Sequence, residues 1–529
     1  MFGISHGCCV QFTFRSAGQG TVCLAQPYGL PPDRVTQEIN VPSTRRDFAK
    51  NSAGAGIALV GSAAVLSTAS TYAYAAESAE DAVSRGQEQD EALSQGHQSK
   101  TGYGPLIDDP DGLLALPAGF SYKVVTRAGV TKMDSGEFTP NKHDGTATFK
   151  GTRGSTLLVN NHEIKDSRTA VEFPVPLTPG LVYDPAAPGG CTVVEVSKDG
   201  EHVSEWVGIA GTQQNCAGGR SPWGTWLTCE ENTAKAGESG MTKDHGYVFE
   251  VDPYDRRANQ NPKPVKALGR YDHEAVVVDT KRGHLYLTED ASGPNGLLYR
   301  WTPPKGFKHG RGKLRTLSDT AGVLEAFKCF DSKGQYVDDL SRATEAGTTY
   351  SVQWVAVPDR DAKTVPTRLQ FTGTQVTRAR KLEGMWWADG GAYVVSSFAR
   401  EESPVQHDGQ VWFYDPARAT LTLKLILGVN PDPDANDGVL DGPDNITISP
   451  YGGVIIAEDG EGVQHLFGAT ESGKTYPIAR NELNDGTAED PNYSEFAGVV
   501  FSPDGKTLYA SIQNPGILYA ITGPWRYQR

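Results

Sequence analysis

EFAGVVFSPDGKTLYASIQNPGILYAITGP, residues 495–524, reads as three short strands joined by two tight turns. β-Branched and aromatic residues flank Ser502-Pro503-Asp504-Gly505-Lys506, which is hairpin-turn chemistry. The third strand of this meander has recognisable copies upstream: GGCTVVEVSKDG at 189–200, HGYVFEVDP at 245–253, NGLLYRWTP at 295–303, GQVWFYDP at 409–416 and GVQHLFGA at 462–469. Each follows a second run that ends in polar residues, as in GTWLTCEEN from 224 and GHLYLTED from 283. A first run starts from a polar corner, as in DHEAVVVD from 272 and PDNITISP from 443. Six such meanders without alternating helices predict an all-β chain folded as a six-bladed β-propeller. The gap from Pro303 to Lys381 predicts an outer strand near SVQWVAVPD at 351 and an insertion between blades 3 and 4, while Phe120–Val125 is expected to close the last blade.

Composition agrees with this reading. Sixty Gly and 33 Pro in 529 residues exclude a helical bundle. A formal charge of −15 repels a phosphate backbone, so no nucleic-acid partner is expected. The same acidic surplus suits hard cations bound through oxygen.

The N-terminal part is read as targeting sequence rather than fold. Thr44-Arg45-Arg46-Asp47-Phe48 precedes a small, weakly apolar run and then Ala73-Tyr74-Ala75, the order of a twin-arginine signal with its cleavage site. Residues 1–40 are an N-terminal extension of doubtful origin, 41–76 the signal, 77–103 an acidic linker and 104–529 the propeller domain. The expectation is export by the twin-arginine translocase to periplasm, cell wall or medium, with no stable membrane span in the mature chain. Four cysteines remain there, Cys191, Cys216, Cys229 and Cys329, which is no disulfide framework: either one bridge or a lone thiolate ligand fits.

In a propeller, residues before each first strand and after each second strand meet at the axial mouth. The first set holds Asp144, Cys216, Glu274, Glu383, Asp444 with Asn445, and Glu495. The second holds Asn161 with Glu163, Glu230 with Glu231, Glu289 with Asp290, Ser397, Glu458 with Asp459, and Gln513. About ten carboxylates at channel distances require cations or raised pKa values. Carboxylate and amide oxygens suit Ca²⁺, whereas the Cys216 thiolate suits iron or zinc. His273 is equally a ligand or an orienting neighbour; His162 and His245 read as structural. Such a cluster binds an anion with several oxygens, and phosphate monoesters match best.

GPLIDDPDGLLALPAGFSYKVV from 104, NCAGGRSPWGTWLTCEEN from 215, DHEAVVVD, PDNITISPYGG and the opening segment together resemble the PhoX family of secreted alkaline phosphatases. The resemblance spans about Gly104 to Trp525. It implies hydrolysis of phosphate monoesters at a mixed cluster of Fe³⁺ and Ca²⁺ on the axis. By motif, Cys216, Glu274 and Glu383 would hold iron, and Glu163, Glu231, Asp290, Asp444, Glu458 and Glu495 calcium, with Asn445 adding an amide oxygen. Phosphoryl oxygens would be held by basic groups, with Arg300 as one candidate. The family carries an Arg at the position of Lys381; a lysine there gives a point charge without the bidentate fork. Two other readings of the repeat are a calcium-dependent lactonase, which needs no thiolate, and a non-catalytic binding propeller.

Overall fold

A computed structural model describes residues 101–528 except 401–402, 434–438 and 488–489. The extension, the signal and the linker as far as residue 100 lie outside the described residues. The linker's last residues belong to the body: Gly102 N–H donates to Gln528 Oε1 at 2.7 Å, and the Tyr103 ring meets Phe120, Tyr476 and Trp525 edge-on.

The C-terminal meander has the expected form. Phe496–Phe501, Thr507–Ile512 and Ile517–Thr522 pair antiparallel in sequence order. Ser502 closes its first turn, since its hydroxyl accepts from the Lys506 and Thr507 N–H groups and its own N–H donates to Thr507 O at 2.8 Å. Gly505 supplies the left-handed residue there, with φ of +74°.

The other meanders repeat this plan. His143–Lys150, Thr156–His162, Gly189–Val196 and His202–Thr212 form one sheet; Asn215–Arg220, Trp226–Glu230 and Val248–Val251 form the next. Then come His273–Val278, Leu285–Glu289, Leu298–Thr302 and Val323–Phe330, followed by Leu382–Ala388, Gly391–Ser396, Gly409–Asp415 and Thr420–Leu427. Thr349–Ala356 pairs with the outer strands of both and fuses them into one ten-stranded sheet. The segment expected as an outer strand beside an insertion therefore bridges two units. Pro443–Ile448, Val454–Glu458, His465–Ala469 and Thr475–Asn481 are extended by Leu114–Pro117 and Leu106–Ile107. Ser121–Arg127 pairs with Ile517–Thr522.

The result is an all-β, propeller-like arrangement in which the described helices are 3₁₀ turns of three or four residues. Apolar faces of successive sheets pack together: Phe149, Val159 and Val193 meet Trp226, Phe249 and Val251 in one cluster. Burying each such side chain contributes about 1.5–3 kcal/mol. The first strands touch their neighbours in sequence order, and Phe496–Phe501 touches His143–Lys150 to complete the circuit.

Small residues set how tightly those first strands converge. A Cβ on Gly145 would lie 2.6 Å from Ala217 Cα, and one on Gly384 would lie 2.6 Å from Asp444 O. Both obstacles are backbone, so they cannot swing aside. Gly384→Ala is expected to cost about 1–3 kcal/mol through overpacking, read as a lower urea midpoint with an unchanged m-value.

Candidate metal centre

Five first strands share one irregularity near their start. The pairing register slips between His143 and Thr146, Asn215 and Gly218, His273 and Val276, Leu382 and Met385, and Pro443 and Ile446. Each slip sets two residues against one, a bulge that re-aims a side chain. The first bulged residues are Asp144, Cys216, Glu274, Glu383 and Asp444. In the last meander the slip comes later, between Ala497 and Val500, and Glu495 precedes the strand.

The second strands contribute from their ends. Glu230, Glu289 and Glu458 are the last strand residues, followed by Glu231, Asp290 and Asp459. The members of each pair have different partners. Glu230 accepts from Gln213, Gly246 and Tyr247 N–H groups and contacts His245; Glu289 accepts from the Tyr299 hydroxyl at 2.7 Å. Glu458 accepts from the Asp441 and His465 N–H groups and meets His465 Nδ1 at 3.0 Å. Both Glu458 oxygens thus take donors from the surrounding chain, and the next residue, Asp459, is the one that joins a donor triad.

Three donor triads lie there: Cys216, Glu231 and Glu274; Glu274, Glu383 and Asp444; Asp444, Asp459 and Glu495. Within each, one donor atom per residue lies within 4.8 Å of the others. Shared Glu274 and Asp444 link the triads into one cluster. Asp144 and Glu163 adjoin it, both receiving Gln513 Nε2, at 3.2 and 2.6 Å. Asn445 donates to Asp444 Oδ1 at 3.0 Å and accepts from Gly498 N–H, so its amide orients the carboxylate. Below the cluster the axis holds a cavity of about 320 Å³ lined by Gly145, Ala217, Val276, Gly384, Trp386 and others, with no acidic residue among them.

Charge state follows from this crowding. Burial first, then neighbouring carboxylates, push Asp144, Glu231, Glu274 and Asp444 well above the usual range. Glu383 is raised to about 7 by burial and Asp290, against the pull of Lys381. The Cys216 thiol is raised by burial and by Glu274, and it donates to His273 O at 3.2 Å. Asp144 Oδ1 is buried without a partner. Buried acids with an orphaned oxygen and one thiol fit cations of both hard and softer kinds.

The remaining candidates divide by position. Lys381 Nζ lies 2.9 Å from Asp290 and 2.6 Å from Glu383, which brings Asp290 and the lysine to the rim. Arg300 is not brought there. It pairs with Tyr286, toward the end of the hairpin away from Glu289, bonds Glu325 at 2.7 Å and covers the Trp354 ring. His273 Nε2 meets Gly269 O at 3.1 Å while the ring lies against Tyr271, and burial lowers its pKa to about 3. All four described cysteines are free and buried.

A sequence model of the family described as alkaline phosphatase PhoX matches residues 101–205 and 199–516. The chain belongs to the PhoX family. As a PhoX protein it is a metal-dependent hydrolase of phosphoric monoesters. Among solved structures it is similar to Pseudomonas fluorescens PhoX in complex with vanadate, a transition-state analogue: 18% identity, 80% of this chain and 98% of that one, TM-score 0.58. A weaker likeness, at TM-score 0.38 and 12% identity over 78% of this chain and 98% of that one, is to the PQQ domain of Coprinopsis cinerea pyranose dehydrogenase. No curated protein matches the sequence significantly.

Asn161, expected at the mouth from the sequence, works beneath it. Asn161 is fully buried; its Nδ2 donates to Cys216 O and Ala217 O at 2.7 and 2.8 Å, while its Oδ1 accepts from Cys191, Trp226 and Thr228 at 2.9 Å. It therefore pins the bulge that presents Cys216. Asn161→Leu leaves these carbonyls and donors unmatched and is expected to cost at least about 3 kcal/mol in urea unfolding. A second expectation concerns pH in the metal-free protein. The folded state holds protons that the unfolded carboxylates release, so stability falls as pH rises from 4.5 to about 7 across the Glu383 range. Thermal midpoints in chelator should drop over that window, and added Ca²⁺ should remove the drop.

Proposed function

We propose that the protein is an exported alkaline phosphatase whose cluster holds Fe³⁺ and Ca²⁺ at the mouth of a six-bladed propeller. Support for six blades comes from the circuit of first strands, with the fused sheet counted as two units. The observation that carries the functional reading is the chain of three donor triads at the axial mouth of a PhoX-family fold.

In this reading Cys216, Glu274 and Glu383 hold iron. Glu163, Glu231, Asp290, Asp444, Asp459 and Glu495 supply calcium oxygens. The bound cations would neutralise charge on the phosphoryl oxygens and lower the pKa of a water able to attack phosphorus. The chain's own groups do the rest. Bulges fix the carboxylates before any cation arrives, Asn161 and Asn445 hold two of those bulges, and Lys381 offers a cation at the rim for a phosphoryl oxygen. Arg300 has no part in it. Export through the twin-arginine translocase rests on the Arg45-Arg46 signal, and that route suits a protein whose metals are loaded before translocation.

Turnover of p-nitrophenyl phosphate together with metal analysis tests this. Glu274→Gln should lower kcat by about a hundredfold or more, since it serves two triads. Cys216→Ser should lose iron before calcium. Protein without iron that stays inactive with added Ca²⁺ would overturn the reading.

A further inference from the structure

The acidic groups of the donor triads are buried or half-buried. The Glu163 side chain is 6% exposed and that of Lys381 14%, whereas the Lys165 side chain is 63% exposed. Lys165 lies three residues beyond Thr156–His162, on the meander that also carries Asp144 and Glu163. Its Nζ sits 2.9 Å from Glu163 Oε1, and its carbonyl accepts from Gln213 Nε2 at 3.4 Å. Lys381 comes from a different part of the ring, one residue before Leu382–Ala388. Each ammonium group reaches the cluster through a carboxylate of its own: Lys165 through Glu163, which shares the Gln513 amide with Asp144, and Lys381 through Glu383 and Asp290.

We propose that Lys165 is a substrate-holding residue that acts with Lys381 on the phosphoryl group and favours a dianionic monoester over a monoanionic diester. This rests on the phosphatase reading above. An ammonium carries three donors on a flexible stem, so a bond to Glu163 is compatible with one to a ligand oxygen. An exposed cation beside the cluster attracts an anionic ester where solute first enters. The attraction scales with ligand charge, so the terminal phosphoryl of a monoester gains about twice what a diester gains.

The test uses metal-loaded protein with Lys165→Gln and Lys165→Arg. Inorganic phosphate binding is measured by calorimetry, and kcat/KM for p-nitrophenyl phosphate and for bis(p-nitrophenyl) phosphate. Lys165→Gln should weaken phosphate binding and lower monoester kcat/KM by about ten- to a hundredfold, mainly through KM, as expected for a lost charge-assisted hydrogen bond. Diester turnover should change less, and Lys165→Arg should recover most of the loss. Unchanged metal content and thermal midpoint exclude a folding effect. Phosphate affinity and monoester KM within twofold of the native protein in Lys165→Gln would overturn the proposal. Native protein that binds phosphate without hydrolysing either ester would overturn the phosphatase reading and leave the Lys165 comparison decided by calorimetry. Native protein that neither binds nor hydrolyses overturns both.

Discussion

Everything at the axial mouth depends on carboxylates held away from water and close to one another. Asp144, Glu274, Glu383 and Asp444 are buried and Glu231 is half-buried, and burial first, then neighbouring carboxylates, push their pKa values up. Side chains free to choose would turn away. They cannot, because each stands on a bulge or just past a strand end that the surrounding sheets hold in place. The fold thus spends part of its stability on a cluster that wants cations, and cations in turn relieve the fold. Metal affinity and stability are therefore linked quantities.

The polar groups just behind the cluster divide this burden. Glu230, Glu289 and Glu458 are as buried as their neighbours but take backbone N–H, histidine or tyrosine donors. They tie the end of each second strand to the adjoining loop and leave the next residue, Glu231, Asp290 or Asp459, for the mouth. Asn161 performs the same service for the Cys216 bulge with five hydrogen bonds.

Much of this was legible in the sequence. The meander at 495–524 and its copies gave the strand plan, because period-two alternation and turn chemistry are local signals. The mouth residues followed once the plan was known. Local signals do not tell which member of an acidic pair takes donors from the surrounding chain, as Glu458 does, and which joins a donor triad, as Asp459 does. Arg300 was misplaced because its alternation is visible in sequence while its depth along the strand is not. The fusion of two units through Thr349–Ala356 depends on edge-to-edge pairing between segments far apart, which no window of sequence contains.

The strands near the start of the body carry a consequence for how the chain is made. Leu114–Pro117 pairs with Thr475–Asn481, and Ser121–Arg127 with Ile517–Thr522. During synthesis these early strands emerge first and wait for almost the whole domain before their partners exist. Such non-local pairing raises contact order and slows folding. Until then they are open sheet edges, the kind of surface to which another chain adds. Closure of the ring is thus a late event, and in a newly made molecule the acidic mouth, with Asp444 and Glu495 on its last two units, is completed only when the C-terminal strands arrive.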